Sequence, residues 1–136
     1  AAMTLLLMAV VMAGTPKLEV EPTGHVFTSR EGLEVALAAV RPPGPKRALV
    51  RITRPGASPA SKVWLAQVNE SLEISEYTVR VGEKSHLLLV TRMGNPVVYP
   101  PGDGREVAIS WHDEKSRALD TRQLLDEYLR QEKPKK

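Results

Sequence analysis

Six cations stand together in this chain with no acid among them. Arg41, Lys46, Arg47, Arg51, Arg54 and Lys62 are the only charged residues between positions 41 and 69. Cations clustered in this way can hold an acidic protein surface or another anionic surface such as lipid headgroups. A single-stranded nucleic acid would ask for more, because its binders interleave cations with exposed aromatics that stack on bases. Only Trp64 falls inside the block, and its aliphatic neighbours suit it better to a core. The six cations are therefore the candidate partner-binding residues, for an acidic partner or an anionic surface. No specific nucleic-acid recognition is expected. The competing reading is an ordinary solvated face.

Other chemistry finds little support in the residue types. The chain has no cysteine, which excludes disulfides, thiolate catalysis and every Cys-based zinc site. It contains no phosphate-binding Gly-rich loop, no GxSxG elbow, no HExxH and no calcium-loop pattern. His25 and His86 fall on or beside expected strands, where a packed or surface histidine is the ordinary case. His112, Asp113 and Glu114 adjoin at an expected strand end, but successive strand residues face opposite ways. They do not converge on a metal without a bend. No catalytic residue, metal ligand or cofactor is assigned. An enzyme with a dispersed site using His86 or His112 as base is carried only as an alternative.

The elements that must position these residues follow from spacing. From residue 17 onward, short apolar or alternating runs recur at intervals near 10–12 residues, separated by Gly, Pro, Asn and Asp. Strands are expected over 25–29, 33–40, 48–53, 62–68, 77–81, 86–90, 97–99 and 106–111. In 48–53 the alternation puts Ala48, Val50 and Ile52 on one face and Leu49, Arg51 and Thr53 on the other. Tyr77, Val79 and Val81 should share an inward face, as should Val107, Ile109 and Trp111. The run 86–90 reads as a strand buried on both faces. Residues 33–40 also fit a helical spacing behind a capping box at Thr28 and Glu31, yet Gly32 in a first helical turn is unfavourable by ~1 kcal/mol relative to Ala. They are assigned as strand.

The C-terminus changes period. Asp120 and Gln123 make an N-cap pair, and Leu124, Leu125, Tyr128 and Leu129 form an apolar stripe at helical spacing. A helix is expected over about 121–132, followed by a basic tail. Its stripe should cover an open end or edge of the sheet. The fold class is then all-β: an antiparallel β-sandwich, immunoglobulin-like or similar, of about seven or eight short strands with one C-terminal α-helix.

Residues 1–14, AAMTLLLMAVVMAG, carry no charge and are too few for a transmembrane helix, which needs about 20. They read as a signal-peptide-like apolar region or as a packed N-terminal element, with 15–136 as one β-rich domain. The first alternative implies a periplasmic or secreted protein, the second is compatible with the cytoplasm. The functional expectation is a non-catalytic interaction or structural module that meets an acidic partner through 41–62. The alternative binding reading is a small apolar ligand held between the sheets, against Leu87, Leu89, Ile109 and Trp111.

Overall fold

Backbone groups that leave water must be paired, and this chain pairs nearly all of its extended segments with their sequence neighbours. The computed structural model describes residues 18–42, 45–55, 61–92, 94–102 and 105–132. The expectations for residues 1–14 and for the basic tail lie outside that set. Nine strands form one antiparallel sheet: β1 (His25–Thr28), β2 (Glu34–Ala39), β3 (Arg47–Thr53), β4 (Ser61–Ser71), β5 (Ile74–Val81), β6 (Lys84–Arg92), β7 (Val97–Val98), β8 (Val107–Ala108) and β9 (Ser110–Trp111). Helices α1 (Asp113–Ala118) and α2 (Thr121–Glu132) follow.

The sheet order is β8-β7-β6-β5-β4-β3-β2-β1-β9. Its two outermost strands are separated in sequence by Ile109 alone. Val107 pairs with Val98 on one side of that residue, and Trp111 pairs with Phe27 on the other. The sheet therefore comes close to closing on itself and is barrel-like. The expected all-β class and the C-terminal helix are both present, and the helix occupies 121–132 as its stripe implied.

Alternation sorts the side chains into two clusters. The inner one gathers Val35, Leu37, Ala48, Val50, Ile52, Ala66 and Val79 with Leu88, Leu89, Val98 and Ile109. The outer one joins Val26, Ala36, Ala38, Leu49 and Val63 to Leu124 of α2. One strand departs from simple alternation. In β6, Tyr77 pairs with Leu89 and Thr78 with Leu87, so Leu88 is an extra residue. Such a bulge lets two successive side chains face one way, which is why Leu88 and Leu89 both enter the inner cluster. Val90, on the opposite face, is buried as well, so the strand is buried on both faces over 88–90, as expected for part of the run. Val81 and Trp111, expected inward, are instead 41% and 54% exposed. Val81 sits beside a two-residue hairpin turn, where the sheet has run past its core. Ile109, between the two short pairings, faces inward as expected.

Tight turns explain the register. β4 and β5 are joined through Leu72 and Glu73, β5 and β6 through Gly82 and Glu83. Two-residue hairpins need left-handed backbone, and Glu73 has φ 65 and Gly82 φ 64. β4 runs three residues beyond its expected end because Asn69, Glu70 and Ser71 pair with β5.

Helix α1 was not anticipated. His112 is its N-cap, its Nδ1 accepting the Lys115 N–H at 3.2 Å. Buried Ser116 fixes α1 to β1: its hydroxyl accepts the Val26 N–H at 2.8 Å. For α2, Asp120 Oδ1 accepts the N–H groups of Arg122 and Gln123. Gly24 lies where the chain passes under this helical pair. A Cβ there would come within 2.4 Å of the Leu37 carbonyl oxygen, so a glycine is required by space.

Leu124 is fully buried between α2 and the outer sheet face, whereas Leu129 on the same helix is 44% exposed. Leu124→Ala should cost about 2–5 kcal/mol, as cavity-forming substitutions do. Leu129→Ala should stay within about 0.5 kcal/mol. Urea unfolding of the two variants checks the contrast.

Candidate functional site

Three of the six basic residues are brought to acids that the sequence holds elsewhere. Arg41 reaches Glu21 at 3.3 Å and Glu19 at 4.0 Å. Lys46 pairs with Glu70. Arg51 pairs with Glu127 of α2 at 2.8 Å, both side chains being largely covered. Lys62 lies over the Trp64 ring, 4.1 Å from its centroid. Arg54 is engaged as well. Arg47, beside Tyr128, has a buried Nε without a hydrogen-bond partner. Charge that is segregated along the sequence is thus recombined by the fold. The six spread over the outer sheet face and both ends of the strands rather than forming one surface.

Two of the six, Lys46 and Arg47, line a cavity of 290 Å³ at one end of the sheet. Its walls come from the start of β1 and β3 and the ends of β2 and β4. Leu37 and Ala48 of the inner cluster form its floor with Val68 and Tyr77, which pack against that cluster. Around the rim stand Thr23, His25, Ala39, Lys46 and Glu70. The floor is apolar because β2 and β3 present their inward residues there. The rim is polar because the same strands then leave the core.

Electrostatics at the rim are local. The Lys46 ammonium, hydrogen-bonded to Glu70, holds that carboxyl below its usual range. Burial raises Tyr77, partly offset by a hydrogen bond with Thr91. The phenol therefore stays protonated at neutral pH.

Two further clefts lie between the helices and the sheet. One, of 440 Å³, is bordered by Glu19, Pro22, Arg41 and the start of α2. The other, of 220 Å³, is bordered by Val26, Glu34, Arg51 and the α1–α2 junction. Neither reaches the inner cluster, and Arg41, Arg51 and Lys115 within them are held by ion pairs. Among the described residues no cleft is lined by Leu87, Leu89, Ile109 and Trp111 together. Leu89 and Ile109 are packed in the core, and Trp111 is exposed.

The histidines serve the scaffold. His86 Nε2 bonds the Tyr99 carbonyl at 2.8 Å, His112 caps α1, and His25 lies tilted beside Phe27 with centroids 6.5 Å apart. Among the described residues no group of three or more His, Asp or Glu could hold a metal. Nor, among them, is any helix long and apolar enough to cross a membrane.

Sequence spacing missed the end cavity, because its lining combines five separated segments. The signal that could have found it is Tyr77, a lone polar-tipped aromatic among inward aliphatics near a strand end.

The chain has three tyrosines, and all three are raised above the ordinary value. Burial does this for Tyr77 and Tyr128, and the hydrogen bond to Glu106 does it for Tyr99. The unfolded chain then loses phenolic protons first. The stabilisation is complete below about pH 10 and fades as pH rises through the folded values. Spectrophotometric titration should find phenolate appearing later than in free tyrosine, with the melting temperature falling over the same interval.

Comparison with protein-family models, with curated proteins and with solved structures finds no match for this chain.

Proposed function

We propose that this chain is a non-catalytic binding module. It is built on an eight-stranded up-and-down barrel that takes a small apolar or amphipathic molecule at its Lys46–Tyr77 end. In this reading β8 and β9 are two halves of one strand, interrupted at Ile109, and the sandwich of two sheets is set aside. The observation that carries the proposal is the 290 Å³ cavity floored by Leu37, Ala48, Val68 and Tyr77. Ligand sites are concave and mostly apolar with a few polar groups at fixed places, and span ~300–1,000 Å³. This one sits at the lower end, which favours a small ligand. Small barrels of about eight strands have interiors either filled by side chains or just able to hold one ligand. Here the middle is filled and one end is open.

The acidic-partner reading of the basic block has less support. Arg41, Lys46 and Arg51 already have acids of this chain as partners, so an acidic surface would have to displace them. Its use as an exported module rests on residues 1–14 alone.

Octanol and octanoate are suitable probes, with binding followed by methyl chemical shifts of Leu37, Ala48 and Val68. Saturable shifts confined to these residues are expected at millimolar probe. Ala39→Phe, which places a ring across the rim, should abolish them while leaving the melting temperature within a few degrees. If neither probe produces saturable shifts at this end, the ligand-binding reading is overturned.

A further inference from the structure

Independently of the end cavity, β4 offers a second site. The strand is paired along its first part with β3, over 61–67, and along its last part with β5, over 67–71. Among the described residues, 61–66 therefore have no strand on the β5 side. In an antiparallel ladder, alternate residues direct both backbone groups to the same neighbour. Val68 donates to the Lys46 carbonyl on the β3 side, so the odd-numbered residues of β4 face the open side.

That open side is not bare. The Val63 N–H donates to Gln131 Oε1 at 2.7 Å, and Gln131 Nε2 donates to the Val63 carbonyl at 2.8 Å. A side-chain carboxamide offers one donor and one acceptor in the manner of a peptide group. Gln131 thus occupies the place that one residue of an incoming strand would take. It is an exposed side chain on the last turn of α2. The helix itself is held near its start by Leu124 and by the Arg51–Glu127 pair, so Gln131 can swing away without unpacking it.

We propose that this edge of β4 is a strand-pairing surface for a second copy of this chain, closed in the monomer by Gln131. Open edges template the addition of further strands, and natural proteins cover them for that reason. The edge is complementary to itself. Antiparallel pairing about a two-fold axis at Val63 makes an isologous contact in which Val63 faces its own counterpart. Lys62 of each copy then lies opposite Trp64 of the other, and no like charges oppose. Lys62 and Trp64 already interact within one chain, with 4.1 Å from Nζ to the ring centroid. The pairing exchanges that contact between copies.

Gln131→Ala removes both bonds to Val63. It should strengthen self-association by about tenfold or more, the scale set by two neutral hydrogen bonds that no longer compete. Sedimentation velocity across a concentration series reads this directly, with circular dichroism to confirm folding. Gln131→Glu keeps an acceptor, loses the donor, and should move association the same way. Hydrogen exchange at residue 63 reports the register. In the Gln131→Ala monomer the Val63 N–H has lost its acceptor, and in the paired edge it regains one from the second copy, so its exchange should slow as concentration rises. Folded variants that stay monomeric to millimolar concentration overturn the proposal. So does a dimer in which the Val63 N–H exchanges as fast as in the monomer.

Discussion

The structure depends on one five-residue stretch, 107–111, that hydrogen-bonds to both ends of the sheet. Val107 and Ala108 hold β7, Ser110 and Trp111 hold β1, and Ile109 between them enters the core. Without this double pairing the sheet would present two full edges, a template for aggregation. With it, the inward residues of every strand point at one another and form a common interior. The chain continues directly into α1, where the His112 N–H donates to the Val26 carbonyl at 2.8 Å, so closure of the sheet and docking of the helices begin at the same place.

The second organising feature is the way α2 covers the outer face of β1 to β4. Leu124 provides the apolar contact, Arg51–Glu127 a partly covered ion pair, and Thr121 a hydroxyl bond to the Glu21 carbonyl at 2.6 Å. Arg47 and Arg51 of the basic block lie in the covered region. A run of cations on a sheet would repel itself. Here acids from residues 19–21, 70 and 127 are drawn into it. Exposed pairs of this kind contribute about 0–1 kcal/mol each. Their main effect is to lower the charge of a surface that the sequence alone presents as strongly positive.

Much of this was legible in the residues. The two-residue alternation of 48–53 sorted its side chains correctly, because Leu49 is covered by α2 while Val50 and Ile52 face the interior. The stripe 124–129 located the helix to within a residue, since Asp120 caps it with its own carboxylate. What escaped did so for physical reasons. The extension of β4 through Asn69, Glu70 and Ser71 is imposed by β5 and leaves no trace in hydrophobicity. The bulge at Leu88 leaves no mark in the apolar run 86–90. Helix α1 is only six residues long and opens on a histidine cap, a weak signal after a strand. Parity places Val107, Ile109 and Trp111 inward together; the first two do pack on the inner cluster, while Trp111 is exposed although it pairs with Phe27 of that cluster. Of the candidate site, Lys46 and Arg47 were among the six residues chosen, while Tyr77, His25 and Glu70 were not. Their association is a product of strand ends meeting in space, which no local pattern encodes.

The sheet order carries a consequence for how the chain finds its structure. Every pairing but one joins strands adjacent in sequence, so hairpins can form one after another with short loops to close. The exception is the contact of the last strand and α1 with β1, including a Val26–Ser116 hydrogen bond across 90 residues. The entropy of joining distant parts of the chain grows only as the logarithm of loop length, and once the intervening hairpins are formed the effective loop is far shorter. The meeting of the two ends is then the one contact of the sheet whose loop-closure cost depends on the rest being formed first.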